Sequence, residues 1–301
     1  MGRKKYKRLN RYGRSWGETF TDGAARLLAG RGYRHARCLV VLSTGRVGTD
    51  TLAHLLDLSP GVRAYHEPRP LLVAERLDAY HHIDEDPDRF ARIFIEARSR
   101  RLASAWLAGK LYAETSARLT FFAPVIAEML PQARFLFLHR HPGDVVRSGM
   151  RRGWYDHHPN DAFRLYPGDD DPVRSEWDAW DPFTKICWYW HAYNDFSLRF
   201  VRHIDPLRVT SLRSEQLFDA SSGAASQIFD FIGEPAPPQE QIETQLASRH
   251  NAQSMRDFPR FDAWSDQQKQ TLYRIAGRTM CDLGYPVDPG VREGSCGITQ
   301  D

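Results

Sequence analysis

CLVVLSTGRVGTDTLAHLLDL spans residues 38–58. Its first five residues, Cys38 to Leu42, are apolar and partly β-branched, as in a strand buried on both faces. A glycine-containing loop follows, from Ser43 to Thr51. From Thr49 to Leu58 the apolar residues fall at helical spacing, with Leu52, Leu55 and Leu56 on one side. Strand, glycine loop and helix in that order predict the opening unit of a parallel α/β sheet. Ligands of such sheets sit beyond the carboxyl ends of the strands, where this loop lies.

The loop has the chemistry of an anion site. Gly45 and Gly48 allow close backbone approach and unusual dihedrals. The first N–H groups of the following helix lack intrahelical partners and, with the helix dipole, favour negative charge. Thr49 and Thr51 add hydroxyls, and Arg46 adds a fixed positive charge. A ligand-free strand–helix turn would look much the same. The loop is not Gly-x-x-x-x-Gly-Lys-Ser/Thr, and no Lys occurs between Thr44 and Lys110, which disfavours a nucleotide triphosphatase or kinase.

Outward from this unit the pattern repeats. Lys110–Glu114, RFLFL at 134–138 and Leu207–Leu212 read as strands. Helices are predicted over 121–130, 143–152, 184–202, 224–233, 239–248 and 265–284. Between Trp154 and Pro182 the periodicity lapses into a polar, aromatic, proline-containing stretch. An excursion of that length reads as a functional lid or a loose loop. The domain is expected over 36–285 with the lid at about 154–183, a basic segment at 1–35 and a tail at 286–301.

FLFLHRHPGDVVRS at 135–148 supplies a second anion site. A buried strand leads to Arg140, turns at Pro142–Gly143 and enters a helix carrying Ser148. Arg140 and the first loop fall on the same edge of the sheet. With both motifs in view, the chain resembles the sulfotransferase family, which uses 3′-phosphoadenosine 5′-phosphosulfate as donor. That family pairs an early loop of the kind Arg-Ser-Gly-Thr-Thr with a later Arg-Asp-Pro-x-Asp-Val-x-x-Ser. Here they stand as RVGTD, Arg46 to Asp50, and RHPGDVVRS, Arg140 to Ser148. YAETS at 112–116, VTSLRSEQL at 209–217 and IFDFIGEP at 228–235 extend the likeness over roughly 36–285.

The resemblance implies a three-layer P-loop-NTPase-like fold and a donor held without a metal. It implies that Arg46, Val47, Gly48, Thr49, Asp50 and Thr51 form the 5′-phosphosulfate loop, and that Arg140 and Ser148 hold the 3′-phosphate. Four residues depart from the family pattern: Val47, Asp50, His141 and Ser214. Ser214 stands where an adenine-contacting Tyr often occurs.

Sulfuryl transfer needs positioning, charge stabilisation and a base for the acceptor hydroxyl. Arg46 is the expected stabiliser of charge on the leaving phosphate. AYHEPRP at 64–70 resembles the Glu-Pro segment that supplies the base in carbohydrate-directed members. Glu67 is the leading base and His66 the second; a surface ion pair of Glu67 with Arg63 or Arg69 is the plain alternative. Glu114 is read either as an acceptor or Arg46 contact, or as an ordinary ion pair. Trp177 and Trp180 are the expected acceptor platform, whereas Trp188 is expected in the core. The pairs His81–His82 and His157–His158 are expected at the surface.

Net charge is +3 over 301 residues, so the body is no polyanion binder. The first sixteen residues carry seven Lys or Arg and no acid. They read as a solvated tail with weak attraction for an anionic surface, and no nucleic-acid partner is expected. The four cysteines lie far apart, without metal-ligand spacing, and no apolar run is long enough to span a bilayer. These features predict a reduced, cytoplasmic protein, and the resemblance implies an enzyme acting on a hydroxyl of a small molecule, lipid or glycan. The alternatives are a phosphoryl transferase, which would need a loop Lys, and a non-catalytic nucleotide-binding protein, which would need no base.

Overall fold

The structure is a computed structural model that describes residues 33–248 and 256–288. Five parallel strands form one sheet: β1 (Cys38–Leu42), β2 (Val62–Tyr65), β3 (Leu111–Glu114), β4 (Ala133–His139) and β5 (Val209–Arg213). Their order across the sheet is β2-β3-β1-β4-β5. β1 is central and buried at all five positions, as its unbroken apolar run requires. It pairs with β3 from Cys38↔Tyr112 and with β4 from Cys38↔Ala133.

Ten α-helices among the described residues flank the sheet. They are α1 (Thr49–Asp57), α2 (Val73–His82), α3 (Pro87–Leu107), α4 (Ala123–Met129), α5 (Pro142–Met150), α6 (Pro182–His203), α7 (Ser214–Leu217), α8 (Ala224–Ile232), α9 (Gln239–Ala247) and α10 (Asp266–Asp282). After β1 the chain crosses toward β2; after β4 it crosses the other way, toward β5. The crevice between the β1 and β4 ends is therefore the topological switch point, the place where such sheets bind ligands.

The predicted elements form, with three instructive differences. The helix expected over 121–130 is split. A 3-10 run, Ala117–Phe122, comes first, and the α-helix starts only where Pro124 can occupy its first turn. β5 begins two residues later than expected, because the Asp205 side chain accepts from the Leu207 N–H and closes a turn there. α2 and α3 escape the periodicity reading altogether. α3 carries five arginines, and one of them, Arg98, lies inside its apolar stripe: Phe90, Phe94, Arg98 and Leu102 are all buried.

The stretch expected as a lid is anchored. Trp154, Leu165 and Trp177 are buried members of the main core. Its turns continue directly into α6, whose N-terminus Asp181 caps through the Thr184 N–H at 2.8 Å. No helix among the described residues is long and apolar enough to cross a membrane. Cys38 and Cys187 are buried free thiols, whereas Cys281 is disulfide-bonded, contrary to the expectation of a reduced protein. The basic segment 1–35 lies outside the described residues except for its last three, and the tail 286–301 except for its first three.

Candidate active site

The loop after β1 turns its carbonyls inward. The Ser43 carbonyl accepts from Thr120 Oγ1 at 3.1 Å, Thr44 from the Tyr189 hydroxyl at 3.0 Å, and Gly45 from Thr44 Oγ1 at 2.8 Å. The Arg46 carbonyl accepts from Arg140 Nη1 at 3.3 Å, Val47 from Ser214 Oγ at 2.8 Å, and Gly48 from the Leu52 N–H at 2.9 Å. With six successive carbonyls engaged, the loop's negative poles are withdrawn. The N–H groups that open α1 are left as its polar face, which suits an anion. Arg46 and Gly48 both take left-handed backbone, φ 61° and 91°. Only glycine suits position 48, since a Cβ there would stand 2.4 Å from the Phe218 ring.

This geometry assigns places to the residues that depart from the family pattern. Ser214 is buried and clamps the loop through Val47. Val47 is itself fully buried, so it anchors the loop and presents only backbone to a ligand. The Asp50 carboxylate is turned to His54, 3.7 Å away, in the first turn of α1, where an acid complements the helix dipole. His141 caps α5: its Nδ1 accepts the Gly143 N–H at 3.1 Å, the job an Asp side chain does at an N-cap.

The two predicted anion sites meet. Arg46 Nε donates to Ser148 Oγ at 3.1 Å, while Arg140 pairs with Asp144 at 2.8 Å and reaches the Arg46 carbonyl. Trp190 steadies the Arg140 carbonyl from α6 at 2.9 Å. Burial and the nearby Arg152 push Arg46 down to about 10, with Glu67 partly offsetting them. It is a guanidinium still charged at neutral pH, crowded by like charge.

On the other side of Arg46 opens a cavity of about 280 Å³. His66 and Glu67, from the turn after β2, line it, as do Thr44, Gly45 and Thr49 of the loop. Glu67 has left-handed backbone, φ 45°, and its carboxylate pairs with Arg118 at 2.5 Å rather than with Arg63 or Arg69. His66 Nδ1 lies 3.2 Å from Thr115 Oγ1. A positively charged cradle, a carboxylate and a shared small cavity form one site, assembled from the ends of β1, β2, β3 and β4.

The sequence profile of the sulfotransferase family matches residues 39–238, more than half of the chain, with all five strands and the helices through α8 in or at the edge of that range. The chain belongs to the sulfotransferase family. In fold this sulfotransferase is similar to the sulfotransferase domain of the curacin biosynthetic pathway: TM-score 0.52, 14% identity, 84% of this chain and 99% of that one covered. Sulfotransferases from Mycobacterium avium (TM-score 0.48, 16% identity, 90% and 85% covered) and Alicyclobacillus acidocaldarius (0.44, 15%, 81% and 93%) superpose less closely. No curated protein matches the chain.

Three expected acceptor contacts of the sulfotransferase lie elsewhere. Glu114 is fully buried and takes the plainer of its two readings. Arg98 holds it in a fork, Nε–Oε2 2.6 Å and Nη2–Oε1 2.9 Å, and the Tyr112 hydroxyl donates to it at 2.5 Å. Trp177 is buried against Tyr155 and Trp188, and Trp180 lies under Arg274; neither lines the cavity. The aromatic wall is Trp154 and Tyr189 instead. His158, expected at the surface, also lines the cavity.

Sequence reasoning missed four cavity arginines: Arg76, Arg118, Arg152 and Arg164. Two carried a signal. Arg118 follows the YAETS segment, and Arg152 stands one helical turn beyond Ser148. Arg76 and Arg164 sit in segments without a motif and reach the cavity only through tertiary packing. Among the described residues no group of three His, Cys, Asp or Glu is placed to hold a metal ion.

Behind the Arg140 turn, His139 is buried with its Nδ1 2.9 Å from the Tyr285 hydroxyl. Burial, reinforced by Arg213, pushes His139 down to about 4. The unfolded chain therefore binds this proton first, and His139 contributes stability that is full above about pH 6.5 and is lost as the pH falls toward 4. The urea midpoint is expected to drop between pH 7.5 and pH 4.5, with His139 responsible for about 3 kcal/mol of the loss. His139→Gln should flatten that dependence; an unchanged pH slope in the variant would place the titration elsewhere.

Proposed function

We propose that the protein transfers a sulfuryl group from 3′-phosphoadenosine 5′-phosphosulfate to an acceptor hydroxyl. The observation that supports this reading best is the meeting of two anion sites at Arg46, beside a cavity that contains a carboxylate. The donor has two separated anionic ends and needs two such sites. The loop with its carbonyls withdrawn and the Thr49 and Thr51 N–H groups suits the 5′ end; Arg140 and Ser148 suit the 3′-phosphate. Phe218, half exposed against Gly48, offers an apolar face near the loop for the base.

In the transfer, Glu67 takes the acceptor proton as the acceptor oxygen forms its bond to sulfur. The bond from sulfur to the bridging phosphate oxygen breaks, and Arg46 stabilises the charge left on that oxygen. Adenosine 3′,5′-bisphosphate leaves. Arg118 fixes the carboxylate of Glu67 and the hydroxyl of Thr115 lies beside His66, so both groups are oriented before the acceptor arrives.

Thermal shift distinguishes this donor from the alternatives. Adenosine 3′,5′-bisphosphate is expected to stabilise the protein, and neither GTP nor ATP with magnesium should do so to a similar extent. Ser148→Ala should weaken the bisphosphate about tenfold, the loss of one hydrogen bond to a charged group. Stabilisation by ATP–magnesium alone would point to phosphoryl transfer.

A further inference from the structure

Two side chains that neighbour each other on α6 hold the two anion turns. The Tyr189 hydroxyl donates to the Thr44 carbonyl of the β1 loop at 3.0 Å, and Trp190 Nε1 donates to the Arg140 carbonyl at 2.9 Å. Adjacent residues of a helix project about 100° apart, so one short stretch of α6 reaches a different turn with each. The ladder between β1 and β4 ends at Leu42↔Phe137, and both turns lie beyond it. The sheet's own hydrogen bonds therefore do not fix the distance between them.

Two direct hydrogen bonds between the turns use groups that the proposed donor needs. Arg46 Nε donates to Ser148 Oγ, and Arg140 Nη1 to the Arg46 carbonyl. A bound donor would draw those guanidiniums and that hydroxyl to its own oxyanions. Tyr189 and Trp190 hold backbone carbonyls and engage no group expected to bind the donor, so their grip persists with the site full. Both rings are buried and set by neighbours: Tyr189 lies edge-on to Trp154, centroids 5.2 Å apart, and Trp190 stands 6.3 Å from Tyr285. α6 is itself pinned beside them, His191 Nδ1 lying 2.7 Å from Thr279 Oγ1 of α10. A second pair of neighbours repeats the arrangement from α7. Ser214 Oγ donates to the Val47 carbonyl at 2.8 Å, and Glu215 Oε1 accepts from the His141 N–H at 2.9 Å.

We propose that Tyr189 and Trp190 are positioning residues for the donor: together they set the distance between the two anion turns, so that one nucleotide with anionic groups on its 3′ and 5′ oxygens is gripped at both ends at once. The inference rests on the proposed function, which gives the two turns to the two ends of one molecule. A ligand held at two fixed points gains about 100-fold to 10,000-fold over either end alone when the spacing matches, and loses that gain as the points drift. Binding constellations tolerate about 0.5 Å of such drift. The two arms act in series, since α6 ties the turns together only while both hold. The α7 pair acts in parallel, so loss of the α6 tie is partial rather than complete.

Calorimetric titration of the full chain tests this on Tyr189→Phe, Trp190→Phe and the double variant. The probes are adenosine 3′,5′-bisphosphate and the adenosine 5′- and 3′-monophosphates, the monophosphates read by displacement of bound bisphosphate. Each single change is expected to weaken the bisphosphate about tenfold and either monophosphate less than about threefold. The double variant should stay within about threefold of the more weakened single, because a tie already broken at one arm has nothing left to release at the other. Two local anchors, each serving only its own turn, would instead multiply to about 100-fold. If Trp190→Phe fails to fold, the split between bisphosphate and monophosphates in Tyr189→Phe decides by itself.

Equal weakening of all three nucleotides overturns the proposal, because the two residues would then only support the fold. Unchanged bisphosphate affinity in the single variants overturns it as well. Losses that multiply in the double variant also overturn it, since each residue would then serve its own turn alone. A parent protein that does not bind the bisphosphate counts against the proposed function, and this inference falls with it.

Discussion

Glu67→Gln is expected to abolish turnover while leaving donor binding intact. The substitution keeps the size of the side chain and its polar contact with Arg118, but removes the carboxylate proposed to take the acceptor proton. General-base catalysis of this kind contributes about 100-fold to 10,000-fold, so single-turnover transfer of labelled sulfuryl should fall by that order. Adenosine 3′,5′-bisphosphate should bind with unchanged affinity, because its expected ligands lie on the β1 loop and at Arg140 and Ser148. Unchanged turnover would remove Glu67 from the mechanism. A comparable loss in His66→Gln, with Glu67→Gln active, would move the base one residue back, to the ring whose Nδ1 faces Thr115.

The largest effect on stability is expected at Glu114→Ala. Arg98 and Glu114 are both fully buried, and the carboxylate takes three hydrogen bonds, two from Arg98 and one from Tyr112. Among the described residues, removing it leaves a guanidinium charge in the core with the Pro70 and Ala97 carbonyls as its partners. Breaking a buried pair from one side costs about 3–5 kcal/mol, which would appear as a large drop in the urea midpoint. The double change Arg98→Met/Glu114→Leu should recover much of that loss, since a buried ion pair adds little over apolar side chains of similar volume. A single variant as stable as the parent would show that water reaches Arg98. The position matters for the site as well: β3 ends at Glu114, and the next residues, Thr115 and Ser116, lead to His66 and Arg118.

The scaffold was readable from local pattern. CLVVL and RFLFL are strands because only a sheet buried on both faces accepts such runs, and the two anion motifs stand where those strands end. α3 was not readable, since a helix that buries Arg98 for Glu114 loses the apolar stripe by which helices are recognised. Trp177 and Trp180 misled for a related reason. Aromatic residues in a polar stretch look exposed in sequence, but Trp177 is a core anchor that fixes the segment over the cavity.

What the chain's sequence determined by itself is therefore the parallel α/β sheet, the two turns with the chemistry of anion sites and the carboxylate after β2. Each is a pattern within about twenty residues, the range over which periodicity and turn chemistry act. Tertiary structure alone decided how those parts are used. The carbonyls of the β1 loop are withdrawn by Thr120, Tyr189, Arg140 and Ser214, all at least 77 residues further along the chain. Arg76 of α2 meets Arg152 and Arg164, both from the stretch between α5 and α6, in the wall of one cavity beside the β1 loop. Such contacts depend on how crossovers stack around the sheet, and no local spacing encodes which distant charges will share a cavity.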